Sequence, residues 1–366
     1  MELAPLEGWT VAVTADRRAQ EQIDLLERQG ADVLHAPTIG TTFFEDSDQL
    51  RAATTSVIAR PPDVLVANTG IGMRSWFDAT SSWGLTDALV ESLRTATILA
   101  RGPKAAGAVR RVGLNVDRAA LSERLEEVAA LLGESGVAGR RVLLQLDGSD
   151  DAWFREHLES LGAEVVTARV YRWRPVPDPE PVDRLIDAVL ERRVDAVTFT
   201  SAPALRNLLE LAGGRQASLV NALNSHVDIA CVGPVCAEAA ATEGLSRVAA
   251  PDLGRLGGLI RTVVDTLSSR RRVVRLGGAN VVAQGRALRI AERKVRLSPQ
   301  ERLVFDALVE ASGKVVTKQR LETLVWGDVS AKGHRLHVTV GRLRDRLGPV
   351  ADAIEPVHGR GYRIAA

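Results

Sequence analysis

Two stretches of the chain, about 130 residues apart, repeat the same order of residues, and this repeat constrains the fold more than any other feature. Gly8-Trp-Thr-Val-Ala-Val-Thr14, with a helix that closes in Gly30-Ala-Asp-Val33, matches Gly139-Arg-Arg-Val-Leu-Leu144 with its closing Gly162-Ala-Glu-Val165. A buried strand, an amphipathic helix and a second strand joined by short loops indicate a parallel sheet. Duplication of this unit predicts two α/β lobes with a cleft between them.

The same strand-then-helix unit recurs through the first 268 residues. The strands with the clearest pattern are Asp63-Val-Leu-Val-Ala-Asn68, Thr97-Ile-Leu-Ala100, Asp195-Ala-Val-Thr-Phe-Thr200 and Ile229-Ala-Cys-Val-Gly233. Each is a short apolar run followed by a helical segment, as in sheets whose two faces are both covered. We therefore predict an α/β body of two duplicated parallel-sheet modules.

Cysteine and histidine usage argues against metal sites and disulfides. The chain has two cysteines, Cys231 and Cys236, and six histidines, without a CxxC motif or paired metal ligands. We expect no metal and no cofactor. The first residues have no signal-peptide pattern, and no apolar run reaches the length of a membrane span. We therefore expect a cytoplasmic protein with no membrane association.

Charge is concentrated at the end of the chain. Residues 286–366 hold 16 Lys and Arg against 9 Asp and Glu, net +7, while the other 285 residues carry net −6. Within this basic region Leu336, Val340, Leu343 and Leu347 form one apolar helical stripe. A polar stripe lies beside it, consisting of Arg335, Thr339, Arg342 and Arg346. A helix that is anchored on one side and carries arginines on the other suits the electronegative groove of a nucleic acid.

The flanking segments predict further elements. Ser298, Pro299 and Glu301 form the capping pattern of a helix start, and a second helix follows at 316–326, capped by Thr317. Residues 354–364 predict a hairpin. This order resembles the OmpR/PhoB type of winged helix-turn-helix domain, whose closing Arg-Gly-x-Gly-Tyr motif here reads His358-Gly-Arg-Gly-Tyr-Arg363. The resemblance covers residues 286–366.

The resemblance implies which residues contact double-stranded DNA. Arg342 corresponds to a position that reaches base edges, and an arginine there favours guanine. Val338 corresponds to an apolar base contact, and Arg335 and Arg344 to phosphate contacts. Arg360 lies at the tip of the wing. The predicted DNA-binding set is Arg335, His337, Val338, Thr339, Arg342, Arg344, Arg360 and Arg363. For any one of these residues taken alone, an exposed helix face would explain an arginine equally well.

The body, over residues 8–268, resembles uroporphyrinogen-III synthase. The motifs that carry this resemblance are Val11-Ala-Val-Thr14, Gly30-Ala-Asp-Val33, Val170-Tyr-Arg172 and Asp195-Ala-Val-Thr-Phe-Thr-Ser201. The family's topology implies a first lobe of residues 1–38 and 172–268 and a second lobe of residues 39–171. Residues 269–285, rich in arginine and glycine, are predicted to be an interdomain linker.

Members of that family close hydroxymethylbilane without a cofactor or metal. The resemblance makes Tyr171 a candidate catalytic residue and Thr200 and Ser201 candidate cleft hydroxyls; a packed aromatic side chain explains Tyr171 as well. Asn68-Thr-Gly-Ile-Gly72 replaces the corresponding loop in the other lobe. The usual Thr is missing after both Gly102-Pro and Gly233-Pro. Because several cleft hydroxyls are absent, we expect weak or no synthase activity.

Cations follow several predicted strands, where sheets of this kind place their ligand loops. They are Arg17, Arg74, Arg101 and Lys104. Helix N-termini at the same edge also favour anions. These residues, with Thr200 and Ser201, predict binding of a small or multi-carboxylate anion, although surface charges with acidic neighbours would give the same pattern.

Other protein classes fit the body less well. A phosphorylated receiver domain needs an Asp at the end of its third strand, where this chain has Asn68. A nucleotide-binding P-loop and a helix-opening GxGxxG motif are both absent from the sequence. Periplasmic-binding-protein-like lobes would also give two α/β repeats, but the Val-Tyr-Arg and Thr-Ser matches favour the synthase fold.

The predicted function is a DNA-binding transcription regulator whose synthase-like body senses a small anion or docks a partner. It resembles actinobacterial regulators of this architecture, some of which are linked to nitrate and nitrite assimilation. Because helix-turn-helix sites are usually paired, we expect a homodimer or tandem binding with a second regulator. The alternatives are a bifunctional uroporphyrinogen-III synthase with a DNA-binding appendage, and a rigid docking module without a ligand.

Overall fold

The computed structural model describes residues 2–43, 48–146, 148, 152–174, 176, 178–327 and 334–365. The chain divides into two compact units, Met1–Ile39 with Val176–Ala366, and Gly40–Pro175. The first unit contains one parallel α/β lobe and the C-terminal domain, and the second contains the other lobe. The predicted fold class is confirmed: two parallel-sheet modules and a C-terminal winged helix.

Strands and helices are numbered in chain order. The strands are β1 Thr10–Val13, β2 Asp32–His35, β3 Gly40–Phe43, β4 Val64–Ala67, β5 Thr97–Ala100, β6 Arg118–Ala119, β7 Arg141–Leu146, β8 Glu164–Arg169, β9 Tyr171–Arg174, β10 Ala196–Phe199, β11 Asp228–Cys231, β12 Val248–Ala249, β13 Arg272–Leu276, β14 Ala279–Gln284, β15 Ala287–Ile290, β16 Arg293–Arg296, β17 Val316–Thr317, β18 Ile354–Val357 and β19 Gly361–Ile364. The helices are α1 Ala19–Arg28, α2 Asp48–Ala59, α3 Gly70–Ser82, α4 Thr86–Leu93, α5 Pro103–Arg111, α6 Leu125–Ser135, α7 Ala152–Ser160, α8 Glu180–Leu190, α9 Ala202–Leu211, α10 Gln216–His226, α11 Pro234–Thr242, α12 Leu256–Ser268, α13 Pro299–Glu310, α14 Lys318–Trp326 and α15 His334–Leu347.

Lobe one is built on a five-stranded parallel sheet in the order β12-β11-β10-β1-β2. Strands β1 and β10 lie at its centre, with Val11 opposite Ala196 and Val13 opposite Thr198. Helices α1 and α12 contribute Leu26, Leu259 and Val263 to the core on one face. The short apolar strands predicted from the sequence are buried because helices cover this sheet.

Lobe two repeats the arrangement with the strand order β6-β5-β4-β7-β8. Helices α2 to α5 supply Leu50, Trp76 and Leu93, among others, to the core on one face. On the opposite face, α6 and α7 contribute Leu132 and Phe154. Strands β3 and β9 form a separate antiparallel pair within this unit, with Gly40 opposite Arg174.

The segment 269–285, predicted to be a linker, is largely β-structure. Strands β13 and β14 form the first hairpin of a four-stranded antiparallel sheet, β13-β14-β15-β16, that opens the C-terminal domain. Leu276 and Val281 from this hairpin are buried in the same core as Phe305 of α13 and Leu343 of α15. The linker prediction was therefore wrong for residues 272–284, because these residues form paired strands whose Leu276 and Val281 belong to the core of the C-terminal domain.

The rest of that domain follows the predicted helix, helix, basic helix and hairpin. Ser298 and Glu301 form the predicted capping box at the start of α13. The Thr317 hydroxyl accepts the Arg320 N–H at the start of α14, as expected. Strand β17 pairs with β19, and β18 with β19, so that the wing is a three-stranded sheet. Among the described residues, none of the helices is both long and apolar enough to cross a bilayer.

Candidate nucleic-acid interface and ligand-binding edges

Helix α15 has one buried face and one exposed basic face. Leu336, Val340, Leu343 and Leu347 are all at most 2% exposed. Arg335, His337 and Arg342 are exposed, while Val338 and Thr339 are half-buried. The burial follows directly from the 3.6-residue period of the apolar positions. The charged groups that the sequence placed on this helix therefore project from a surface fixed by the core.

The exposed face of α15 borders a shallow groove of about 370 Å³ beside the start of α13. Arg342, Arg335 and Val338 contribute to its wall. Gln300, in the first turn of α13, is exposed on the other side. The remaining lining residues are Ser298, Glu301, Trp326, His334 and Thr339. The contribution of α13 to this surface could not be predicted from its capping pattern, which indicates only a helix start.

Two arginines of the predicted DNA-binding set also have partners inside the domain. The Nε of Arg344 donates to the Ile354 carbonyl at 3.1 Å, and its Nη2 bonds the same oxygen. Across the wing hairpin, Arg363 pairs with Glu355, with an Nε to Oε2 distance of 2.8 Å. Arg344 thereby joins α15 to the wing, and the charge of Arg363 is partly neutralised. Neither arrangement could be predicted from helix or strand periodicity.

Arg360 is exposed at the turn of the wing. The turn is closed by its own N–H, which donates to the Val357 carbonyl at 3.0 Å. Its carbonyl accepts the Lys318 N–H at 3.1 Å, which ties the wing to the start of α14. At the base of the wing, His337 Nδ1 lies 3.5 Å from the Tyr362 hydroxyl oxygen. Burial raises the pKa of the Tyr362 hydroxyl above its ordinary value.

In lobe one, the candidate ligand residues follow adjacent central strands. Arg17 is exposed after β1, and Thr200 and Ser201 are half-buried after β10. Since β1 and β10 are parallel neighbours, these loops emerge at the same carboxyl edge of the sheet. The Ser201 hydroxyl caps α9 by accepting the Ala204 N–H at 3.4 Å. This edge combines an arginine, two hydroxyls and a capped helix start.

In lobe two, three cations follow the adjacent parallel strands β4 and β5. Arg74 and Lys104 are exposed in the first turns of α3 and α5, and Arg101 is half-buried just after β5. The two helix starts pack closely, since a Cβ at Gly70 would overlap the backbone of Lys104. The side chain of Glu123 lies against Gly102 at the start of α5. This acid, which no local sequence pattern indicated, places a negative charge at that edge.

Tyr171 is buried, with 4% exposure, in the lobe-two core that contains Trp76. Its hydroxyl lies 3.4 Å from Thr69 Oγ1. Thr69 caps α3 by accepting the Gly72 N–H, and its own N–H donates to Gln145 Oε1 at 2.9 Å. Thr69 holds the place in lobe two that Ser201 holds in lobe one, since each is the residue before a helix that follows a central strand. The Asn68-Thr-Gly-Ile-Gly72 loop, expected to have lost its cleft hydroxyl, therefore retains one at Thr69.

Comparison with known proteins identifies both parts of the chain. Residues 20–261 match the model of the family described as uroporphyrinogen-III synthase HemD. The chain belongs to this family. A crystallised mutant of uroporphyrinogen III synthase from Thermus thermophilus is 30% identical, with a TM-score of 0.60, and the match covers 71% of this chain and 99% of that one. The protein YjjA of Bacillus subtilis is 29% identical over 259 residues, 70% of this chain and 94% of its own length.

The C-terminal domain of this HemD-family protein matches a second family. Residues 292–364 fit the model described as transcriptional regulatory protein, C terminal. The phosphate regulon transcriptional regulatory protein PhoB of Rhizobium meliloti is 36% identical over 75 residues, 20% of this chain and 33% of its own length. Both predicted resemblances are confirmed. The fusion of a HemD-family body with an OmpR/PhoB-type domain supports a transcription regulator that binds double-stranded DNA.

Proposed function

We propose that this HemD-family protein reads specific DNA sites through α15 and the wing, while its body senses a small anion. The observation that carries the DNA-binding proposal is the division of α15 into a buried apolar face and an exposed face bearing Arg335 and Arg342. Val338 lies between these two arginines on the same groove wall. This surface offers hydrogen bonds to base edges from Arg342, an apolar base contact from Val338 and a phosphate contact from Arg335.

Selection from a random pool of double-stranded DNA with the full-length protein tests this proposal. We expect enrichment of a motif, because a helix-turn-helix with an exposed arginine face reads base edges as well as phosphates. Two half-sites about one helical turn apart would support paired binding by a dimer or in tandem. Retention of DNA without any enriched motif would contradict sequence-specific reading and leave only a general attraction to phosphates.

The wing contributes a phosphate contact in this proposal. Arg360→Ala is expected to lower the slope of log K against log salt by about 1, since one neutralised phosphate is lost. Arg363→Ala is the matched control on the same hairpin, because its guanidinium already pairs with Glu355. We expect a smaller change for that variant. Salt titrations of DNA affinity compare the two, and equal slopes for Arg360→Ala and the parent would contradict the assignment.

The sensor part of the proposal rests on the two carboxyl edges. Each combines at least one basic residue with a helix start that has a capping hydroxyl, Ser201 in lobe one and Thr69 in lobe two. Such groups stabilise anions. Nitrate and nitrite are the first ligands to test, since regulators of this architecture include some linked to their assimilation. If small anions neither raise the melting temperature of the protein nor change its affinity for DNA, the result would instead favour a docking role for the body.

Synthase activity is the second candidate function, favoured by the match to the Thermus enzyme over 99% of its length. Full-length protein incubated with fresh hydroxymethylbilane would distinguish the two functions. We expect only the uncatalysed type I product, because the threonine positions of both Gly-Pro loops are lost. If the parent protein forms the type III isomer and Tyr171→Phe forms less of it, the protein is instead a bifunctional enzyme. The variant removes the hydroxyl beside Thr69 and keeps the buried ring.

A further inference from the structure

The C-terminal domain packs directly on lobe one through an ion-pair cluster. The centre of this cluster is Arg302 of α13, whose Nη1 lies 2.7 Å from Asp195 Oδ1 of lobe one. Their side chains are 12% and 3% exposed. Asp195 stands immediately before β10, and its other oxygen accepts the Thr10 N–H of β1 at 2.9 Å. One carboxylate therefore joins the two central strands of lobe one to the first helix of the DNA-binding domain.

The groups around Arg302 make this contact specific for a guanidinium. Its Nε donates to Asp306 at 3.2 Å, and its Cζ lies 5.2 Å from the Trp9 ring centroid. Arg270 approaches the same ring at 5.0 Å and bonds Asp228 at 2.8 Å. Burial disfavours the charge of Arg302, but the two carboxylates hold its pKa above the ordinary value. Separating a buried cation from such a set of partners is strongly destabilising, because the charge is left uncompensated.

A second group of contacts joins the four-stranded sheet to the N-terminal segment of lobe one. The Gln284 amide donates to the carbonyls of Ala4 at 2.8 Å and Glu7 at 2.9 Å. The backbone N–H of Arg286 donates to the Gly8 carbonyl at 2.8 Å. At this point the backbones touch, since a Cβ on Gly285 would overlap the Gly8 carbonyl. Ion pairs extend the contact from Lys294 to Glu7 and from Arg286 and Arg296 to Asp32.

These contacts lie at the opposite end of β1 and β10 from the candidate ligand loops. Asp195 precedes β10 and Thr200 follows it, so four strand residues, or about 13 Å, separate the two ends. Strand β1 has the same arrangement, with Trp9 before it and Arg17 in the loop beyond its end. A group bound at the carboxyl edge would therefore act on strands that are joined directly to the DNA-binding domain.

We propose that Arg302 and Asp195 form a latch that fixes the DNA-binding domain to lobe one as a single rigid body. Lobe one then sets the orientation of α15, which does not move freely on a tether. This inference adds to the proposed function a route by which a ligand in the body reaches the DNA-binding surface. It concerns the protein in the absence of ligand and DNA, so it stands or fails separately from sequence-specific binding.

Pulsed electron-electron distance measurements on the full-length protein test the latch. Nitroxide labels at Glu210→Cys in lobe one and Arg346→Cys in α15 use two exposed positions. Cys231 and Cys236 are buried, and parent protein treated with the label serves as the control for their reactivity. We expect one narrow distance distribution. A broad distribution in the otherwise unchanged protein would overturn the proposal, because it would show a domain that moves independently.

Variants of the latch then test whether the Arg302 contact is what fixes the DNA-binding domain to lobe one. Arg302→Gln removes the charge, and the distance distribution is expected to broaden severalfold in width. Arg302→Lys keeps the charge without the forked geometry and should give an intermediate width. Arg206→Ala, which removes an exposed arginine from lobe one, is the matched control and should leave the width unchanged. If Arg302→Gln does not fold, Arg302→Lys carries the test by itself. Unchanged widths in the folded latch variants would overturn the assignment.

Discussion

Replacement of Arg342 by alanine is expected to weaken binding to the selected DNA site by roughly 5- to 150-fold, the range for losing one bidentate base contact. The side chain is exposed on α15 between the buried Val340 and Leu343, so its removal leaves the core intact. Fluorescence anisotropy with the selected site and with a scrambled site measures the change. The loss should be confined to the selected site, because a base contact contributes little to binding of unrelated DNA.

Arg342→Lys separates specificity from charge. Lysine keeps the positive charge but lacks the planar fork that matches a guanine edge. We expect this variant to retain the affinity for scrambled DNA and its salt dependence while losing most of the discrimination. Arg206→Ala is the control for loss of an exposed arginine elsewhere. Equal losses on both DNA sequences for Arg342→Ala would identify Arg342 as a phosphate contact and contradict base reading.

The sequence was sufficient to predict the elements whose signals are local. The apolar spacing of Leu336, Val340 and Leu343 gave the buried face of α15, since a 3.6-residue period leaves one face for the core. The Ser298 and Glu301 pattern gave the start of α13 for a similar reason, because a capping box involves residues only three apart. The parallel lobes followed from repeated strand-then-helix units. In each case the residues that determine the structure lie within a few positions of one another.

Features that depend on distant partners could not be predicted. The run from Ser268 to Arg275 and the glycines up to Gly285 resembled a solvated linker, because arginines flank the two valines and glycines follow them. In the structure, Arg270 bonds Asp228, 42 positions earlier, and Arg272 pairs with Glu310. Leu276 of β13 and Val281 of β14 are buried against helices that come later in the chain, and Val282 packs with Leu3 near its start. A local sequence pattern contains no information about contacts between residues so far apart in the chain.

The candidate DNA-binding site shows the same limit at the level of side chains. Periodicity identifies the exposed face of α15 but not which long side chains turn back to the protein. Arg344 reaches a carbonyl ten residues away, and Arg363 reaches the neighbouring strand. Both stay in the predicted set, since each has further N–H donors. Their internal bonds nevertheless predict weaker effects on DNA affinity than those of Arg342 and Arg360.

Gly361→Ala is expected to destabilise the C-terminal domain by about 1–3 kcal/mol, the range for overpacking a fitted site. A Cβ at this glycine would overlap the Val316 carbonyl oxygen and lie 2.9 Å from the Thr317 Cα. Both obstacles are backbone atoms of β17, which pairs with β19 at this point. The strands must therefore separate, and the wing that carries Arg360 would move with them. The melting temperature of the protein and its affinity for DNA should both fall in this variant.

Gly341→Ala is the matched control for the effect of adding one methyl group. Gly341 is exposed within α15, and no heavy atom lies within 4 Å of the added Cβ position. Alanine there should stabilise the helix by about 0.5–1 kcal/mol, since it reduces the backbone entropy lost on folding. The same added methyl group is thus expected to destabilise the protein in Gly361→Ala and to stabilise it in Gly341→Ala. A Gly361→Ala protein as stable as its parent would show that β17 and the wing do not pack as closely as the contact at Val316 requires.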